Sequence, residues 1–205
     1  MNENNILATI LAGGKSSRFG ADKSFVKLGG RSLLDHTIQK IKRVFNEILI
    51  VSNGKAFRKK DQNIKIIQDC IPGQLGPLVG VLTAMKWVKK NKKKYKWIAT
   101  FPCDTPFFDI QIFYHLIKKS RNRAKKLYFF KSGNIRHNIF GLWSLELEKI
   151  LEKDIKNNHR KVESWANKVG LELIEIDKKK RDTFLNINTK KELKIAKTII
   201  KNDYI

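Results

Sequence analysis

Residues 5–24 read NILATILAGGKSSRFGADKS, an apolar run that breaks at Ala12 into paired glycines and then carries Lys15, Arg18 and Lys23. The apolar part, 5–11, is continuous rather than alternating, as in a strand buried on both faces. Gly14-Lys15-Ser16 looks like the end of a P-loop, but that motif needs a glycine at position 9, and Thr9 sits mid-strand. The Gly-x-Gly-x-x-Gly dinucleotide fingerprint fails as well, because Gly13 and Gly14 are adjacent and the next glycine is Gly20. What remains is a loop at the carboxyl end of a first strand, where open α/β sheets bind ligands. Gly13 and Gly14 offer backbone donors and close approach, and Lys15, Arg18 and Lys23 can surround a triphosphate.

The same alternation continues outward from this stretch. EILIVS (47–52), IKII (64–67) and KWIATF (96–101) are further short, β-rich apolar runs. Between them, SLLDHTIQKIKRVF (32–45) places Leu33, Leu34, Thr37, Ile38, Ile41, Val44 and Phe45 on one helical stripe. PLVGVLTAMKWVKK (77–90) is a second helix with Pro77 in its first turn, and IQIFYHLIKKS (110–120) a third. Strand–helix alternation predicts an α/β fold with a mostly parallel central sheet and helices on both faces. The second half is less regular. KLYFFKS and RHNIFGLW read as strands about a turn at Ser132-Gly133-Asn134, LELEKILEKDI and KVESWANKV as helices, and LELIEI as another strand. Thr189 and Glu192 form a capping box ahead of a last amphipathic helix. With no internal repeat and no low-complexity linker, residues 1–205 are expected to form a single domain.

The net charge of +24 invites a nucleic-acid or anionic-membrane reading. The lysines are nevertheless scattered through every segment, with no aromatic–basic recognition motif, which favours neither partner. Cys70 and Cys103 have no metal-ligand spacing and imply no disulfide framework. No stretch approaches the ~20 apolar residues of a spanning helix, and the first apolar run lacks a basic lead-in. The expectation is a cytoplasmic protein that works as a monomer or weak oligomer.

A second motif, FPCDTPFF (101–108), ends an apolar strand in Asp104. A carboxylate there is costly unless something pairs with it. Mg²⁺ suits it, because that ion favours one carboxylate plus phosphate oxygens; the alternative is a cap for the next turn.

Taken together, LAGGKSSRFGADK, QDCIPGQLGPLVGV, FPCDTPF and LNINTKKEL resemble the molybdenum cofactor guanylyltransferases, the MobA family. The likeness covers residues 6–108, holds in outline over 109–183 and returns at 184–193. Sugar and cytidylyl nucleotidyltransferases carry relatives of the glycine loop alone, so the joint occurrence is what carries it. The resemblance implies a Rossmann-like nucleotidyltransferase fold, with 1–108 binding nucleotide and 109–205 binding the acceptor. It places Leu11, Ala12 and Gly13 along guanine and ribose, with Gly14 and Lys15 near the triphosphate. It puts Lys23 on the phosphates and Arg18 against the leaving pyrophosphate. Asn53 and Asp69 become nucleotide-binding positions and Asp104 the Mg²⁺ ligand. Asn186 and Asn188 fall on the acceptor side, Asn188 also near the metal; for Asn53, Asn186 and Asn188 turn formation is the plainer alternative. Relatives tend to read His-Pro where this chain has His137-Asn138, and a lone histidine there is more often structural.

The reaction implied is transfer of GMP from GTP to molybdenum-bound molybdopterin, with contacts to cofactor-biosynthesis proteins or recipient molybdoenzymes. Cytidylyl transfer to the same pterin and sugar-phosphate nucleotidyl transfer are the nearest rivals. A non-catalytic basic nucleic-acid-binding protein and a GTP-binding cofactor-delivery adaptor are rivals of another class.

Overall fold

The computed structural model describes residues 3–13, 23–53, 61–73, 75–121, 124–176 and 183–203. From edge to edge its main sheet runs β5 (Ile64–Ile67), β4 (Ile48–Val51), β1 (Ile6–Leu11), β6 (Trp97–Pro102), β8 (Ile135–Ser144), β7 (Leu127–Ser132) and β9 (Glu172–Glu175). β1 pairs in parallel with β4 and β6, β4 with β5, and β7 with β9. Only β8, antiparallel to both β6 and β7, reverses the direction. The sheet is therefore mostly parallel, as the strand–helix alternation predicts.

Each strand of the first half divides its side chains between two cores, because successive residues point to opposite faces. Ile6, Ala8 and Ile10 of β1 and Phe101 of β6 face α1 (Leu33–Ile41) and α3 (Gln111–Ser120), which contribute Ile38, Ile41, Phe113 and Leu116. On the other face, Leu7, Leu49 and Ile98 meet α2 (Pro77–Lys90), α4 (Glu148–Lys156) and α5 (Val162–Val169) through Leu82, Met85, Leu151 and Trp165. Helices thus cover both faces, and a strand with two apolar faces reads as an unbroken apolar run.

α1 stops at Ile41, short of the apolar stripe that reaches Phe45. Turns carry the chain on, and the Phe45 ring still packs 5.9 Å from that of Phe101. A small hairpin, β2 (Lys27–Leu28) and β3 (Arg31–Ser32), precedes α1 and was not expected from periodicity. Its signal is Gly29-Gly30, whose φ of 56° and 82° supply the two left-handed positions of a two-residue hairpin turn. Leu28 and Leu33 pack there on Ile187 and on Ala196 of α6 (Lys190–Asp203).

In the second half, polar anchors within the core fix the packing. The Trp143 indole donates to Thr100 Oγ1 at 2.7 Å, and its ring stacks on Trp165 with centroids 5.9 Å apart. Trp165 Nε1 donates to Asp154 Oδ2 at 3.0 Å, while Lys168 Nζ donates to Asp154 Oδ1 at 2.6 Å. Asp154 therefore ties α4 to α5 beneath the sheet. Among the described residues no helix is long and apolar enough to cross a membrane.

Burial pushes the Asp154 carboxyl up, but hydrogen bonds from Lys168 and Trp165 outweigh it and hold the group below its ordinary range. The folded protein binds that proton less readily than the unfolded chain does. The stabilisation is complete above about pH 4 and is lost as pH falls through the lowered value. Asp154→Ala leaves the buried Trp165 indole N–H without its acceptor, so it is expected to cost about 1–3 kcal/mol in chemical denaturation. Asp154→Asn is expected to flatten the acid limb of stability against pH, measured by thermal melts across the same range.

Candidate active site

β1 and β6 end side by side, with Leu11 opposite Pro102. The segments that follow them leave the same edge of the sheet. After the glycine loop the chain returns as a single 3₁₀ turn, Lys23–Phe25, whose buried Ser24 hydroxyl lies 3.5 Å from the Ala12 carbonyl and 3.9 Å from Cys103 Sγ. This wedge places Lys23 beside Asp104. Lys23 Nζ stands 3.3 Å from Asp104 Oδ2 and donates to Asn188 Oδ1.

The Asn186–Asn188 segment is locked from two sides. Ile187 N–H donates to the Asp104 carbonyl at 2.8 Å, and Thr105 Oγ1 donates to Asn186 Oδ1. Beyond it, the capping box closes as expected: Glu192 N–H donates to Thr189 Oγ1 at 3.2 Å. The Glu192 carboxylate accepts from Thr189 Oγ1 at 3.0 Å and from Asn188 N–H at 2.7 Å. Burial would raise the Glu192 pKa, but the hydrogen bonds from Asn188 and Thr189 prevail and lower it, which keeps the carboxylate charged as an acceptor. Glu192 is thus a positioning residue for Asn188, a role the capping pattern alone does not announce.

A second cluster lies on the other side of β1. β4 and β5 end with Val51 opposite Ile67, so Asn53 and Asp69 emerge together. They exchange two hydrogen bonds: Asn53 Nδ2 to Asp69 Oδ2 at 2.5 Å, and Asp69 N–H to Asn53 Oδ1 at 3.0 Å. Burial raises the Asp69 pKa, and the Asn53 hydrogen bond offsets this only in part. With Gln68, Pro72 and Gly73 the pair lines a cleft of about 480 Å³. Ala12 N–H donates to the Val51 carbonyl at 2.9 Å, which holds the start of the glycine loop against this cleft. A Cβ on Gly13 would lie 3.8 Å from Asp69 Oδ2.

Leu11, Ala12, Gly13, Asn53 and Asp69 are therefore gathered on one side, and Lys23, Asp104 and Asn188 on the other. Asn186 turns toward Thr105. Gly14, Lys15 and Arg18 lie outside the described residues. His137 stacks on Phe184 with centroids 3.8 Å apart and bonds to Ser132 Oγ at 2.8 Å, as befits a structural histidine. Sequence reasoning passed over Ser24 and Thr105, whose hydroxyls brace the site, and Gly80. That glycine in α2 is a close-approach position: a Cβ there would sit 2.9 Å from Leu11 Cδ2 and 3.8 Å from Asp69 Oδ1.

Among the described residues no three His, Cys, Asp or Glu side chains cluster as a metal cage. The Asp104 carboxylate and Asn188 amide oxygen, both facing one ammonium, are hard oxygen donors. Such a sparse set fits Mg²⁺, which takes one or two carboxylates and completes its shell with substrate phosphates and water.

The lysine–carboxylate pair and the separate cleft lie along the carboxyl edge of a mostly parallel sheet, the edge at which open α/β folds bind ligands. Residues 8–169 match the family described as the MobA-like NTP transferase domain, and the chain belongs to that family. A molybdenum cofactor guanylyltransferase of Rhizobium rhizogenes is 33% identical over 190 residues, covering 90% of this chain and 87% of its own. One from Nitrobacter hamburgensis is 27% identical over 192 residues, covering 93% and 92%. The crystal structure of molybdopterin-guanine dinucleotide biosynthesis protein A from Archaeoglobus fulgidus superposes with a TM-score of 0.76 at 20% identity, over 96% of this chain and 99% of that one. The Francisella tularensis 2-C-methyl-D-erythritol 4-phosphate cytidylyltransferase shares the fold, with a TM-score of 0.70 at 17% identity over 94% and 98%.

Gly80→Ala is expected to leave the thermal midpoint nearly unchanged, because a helix-propensity gain of about 1 kcal/mol offsets the displaced Leu11 tip. The same displacement crowds the cleft, so the Kd for a nucleoside triphosphate rises by roughly three- to ten-fold, as titration calorimetry would read.

Proposed function

We propose that this chain transfers GMP from GTP to the terminal phosphate of molybdenum-bound molybdopterin, releasing pyrophosphate and forming the guanine dinucleotide form of the cofactor. The observation that carries it is the division of one sheet edge into a cleft at Asn53–Asp69 and a Lys23–Asp104–Asn188 cluster, on either side of β1. The chain-long likeness to relatives named guanylyltransferases supplies the choice of base and acceptor.

In this reading Leu11, Ala12 and Gly13 pack along the nucleoside, and Asn53 with Asp69 binds it at the cleft. Gly14 and Lys15 belong to the triphosphate. The acceptor phosphate attacks the α-phosphorus in line, a new P–O bond forms, and the α–β bridging bond breaks. Its electron pair leaves with pyrophosphate, whose charge Arg18 and Lys23 offset. Bound at Asp104, Mg²⁺ would polarise the phosphoryl oxygens and template the displacement. The acceptor is already anionic, so no side chain needs to remove a proton. Catalysis then rests on positioning and electrostatics. Asn188 and Asn186 steady the acceptor side, residues 1–108 serve the nucleotide and 109–205 the acceptor. We place this activity in the cytoplasm, with the protein a monomer or weak oligomer that meets cofactor-biosynthesis proteins or recipient molybdoenzymes in passing.

Pyrophosphate release from each of the four nucleoside triphosphates, with Mg²⁺ and molybdenum-bound molybdopterin, tests the proposal. Release with GTP alone, and only with acceptor, is the expected result; release with CTP would transfer the assignment to a cytidylyltransferase. Asp104→Ala is expected to lower turnover by ~10²-fold or more, the scale set by loss of a single electrostatic stabiliser. Lys23→Ala is expected to raise the Kd for GTP, and an unchanged value would remove Lys23 from the phosphate site.

A further inference from the structure

An ammonium stands between the two oxygens best placed to receive a divalent ion. Lys23 Nζ is 3.3 Å from Asp104 Oδ2 and in hydrogen-bond contact with Asn188 Oδ1. The Lys23 and Asp104 side chains are only 18% and 20% exposed, so solvent screens the pair weakly. A divalent ion arriving alone would share one carboxylate with a positive charge a few ångströms away, an arrangement that Coulomb repulsion opposes. To bind, it would have to expel the ammonium from its carboxylate. An ion arriving with a triphosphate brings the anion to which Lys23 can turn.

On the nucleotidyltransferase reading above, on which this inference rests, we infer that Lys23 is a built-in counter-cation that closes the Asp104 position to divalent ions until nucleotide enters. Metal and nucleotide then bind as a coupled pair. Lys23 passes from the carboxylate to phosphate oxygens while the metal takes its place, so no charge is left without a partner at any stage. Asn188 does not follow the ammonium, because its backbone N–H is tied to Glu192 and the next residue, Thr189, belongs to the capping box. The coupling is reciprocal: the factor by which nucleotide tightens the metal equals the factor by which the metal tightens nucleotide.

The test uses the full chain, Mn²⁺ in place of Mg²⁺, and a GTP analogue with a methylene between the α and β phosphates. The electron paramagnetic resonance signal of unbound Mn²⁺ reports uptake, with binding by the analogue alone subtracted. Wild-type protein is expected to hold Mn²⁺ at least ten-fold more tightly with the analogue than without it. K23M and K23Q, two substitutions of different polarity at one partly buried site, are expected to bind Mn²⁺ alone at least ten-fold more tightly than wild type. Their coupling factor should fall below the wild-type value, keeping only the part that the phosphate ligands supply directly, and adding D104N to K23M should abolish the gained affinity. Equal affinity of wild type and both variants for Mn²⁺ alone, with the analogue still bound, would overturn the exchange and leave the nucleotidyltransferase reading intact. Failure of the analogue to bind at all would overturn both.

Discussion

The parallel pairing of β1 with β6 is the constraint on which the site depends. Six residues of each strand stand in register, Ile6 opposite Trp97 through Leu11 opposite Pro102, so both strands reach the sheet edge together. The buried hydroxyl of Ser24 can then touch both the Ala12 carbonyl and Cys103, and Lys23 meets Asp104. On the other side of β1 the pairing with β4, and of β4 with β5, does the same for Asn53 and Asp69. A slip of one residue in any of these ladders would send each side chain to the opposite face, and the two differently filled cores forbid it.

The edge so formed is electrostatically uneven. Asp69 is held by a neutral amide, and burial raises its pKa. Asp104 is held by a lysine, and the neighbouring Glu192 is kept charged by donors from Asn188 and Thr189. In the function proposed above, the first environment would serve hydrogen bonding to an uncharged base and the second the handling of phosphates. The excess of lysine elsewhere is partly taken up by ion pairs between residues far apart in sequence, such as Lys86–Glu152 and Lys93–Glu47.

Most of the first half was legible because burial on both faces leaves a plain mark: β1, β4 and β6 are short, largely apolar runs, β5 is broken only by the exposed Lys65, and α2 spans the residues its pattern predicts. The hairpin at 27–32 was missed because each strand is two residues long, too short for periodicity, and only Gly29-Gly30 marks it. Across the second half the elements were readable but their order in the sheet was not. β8 inserts between β6 and β7, a pairing determined by contacts such as Trp143 with Thr100 that join residues far apart in sequence. The site divides in a similar way. Asn53 and Asp69 were marked only by the family resemblance, whereas Asp104 announced itself as a carboxylate closing an apolar run. Gly80, Ser24 and Glu192 did not, because their parts in the site come from what they touch across the fold.

The Lys23–Asn188 contact joins residues 165 positions apart, and α6 packs back on the early hairpin, where Ile200 lies within 3.5 Å of a Cβ placed on Gly29. In time as well as space, the two sides of this contact are far apart, because translation makes Lys23 long before Asn188. A ribosome that has already emitted the entire glycine loop and the Asp104 strand has still not emitted Asn188 or the helix that steadies it. A nascent chain thus carries Lys23 and Asp104 without their third partner until Asn188, and the Glu192 that holds it, have been made.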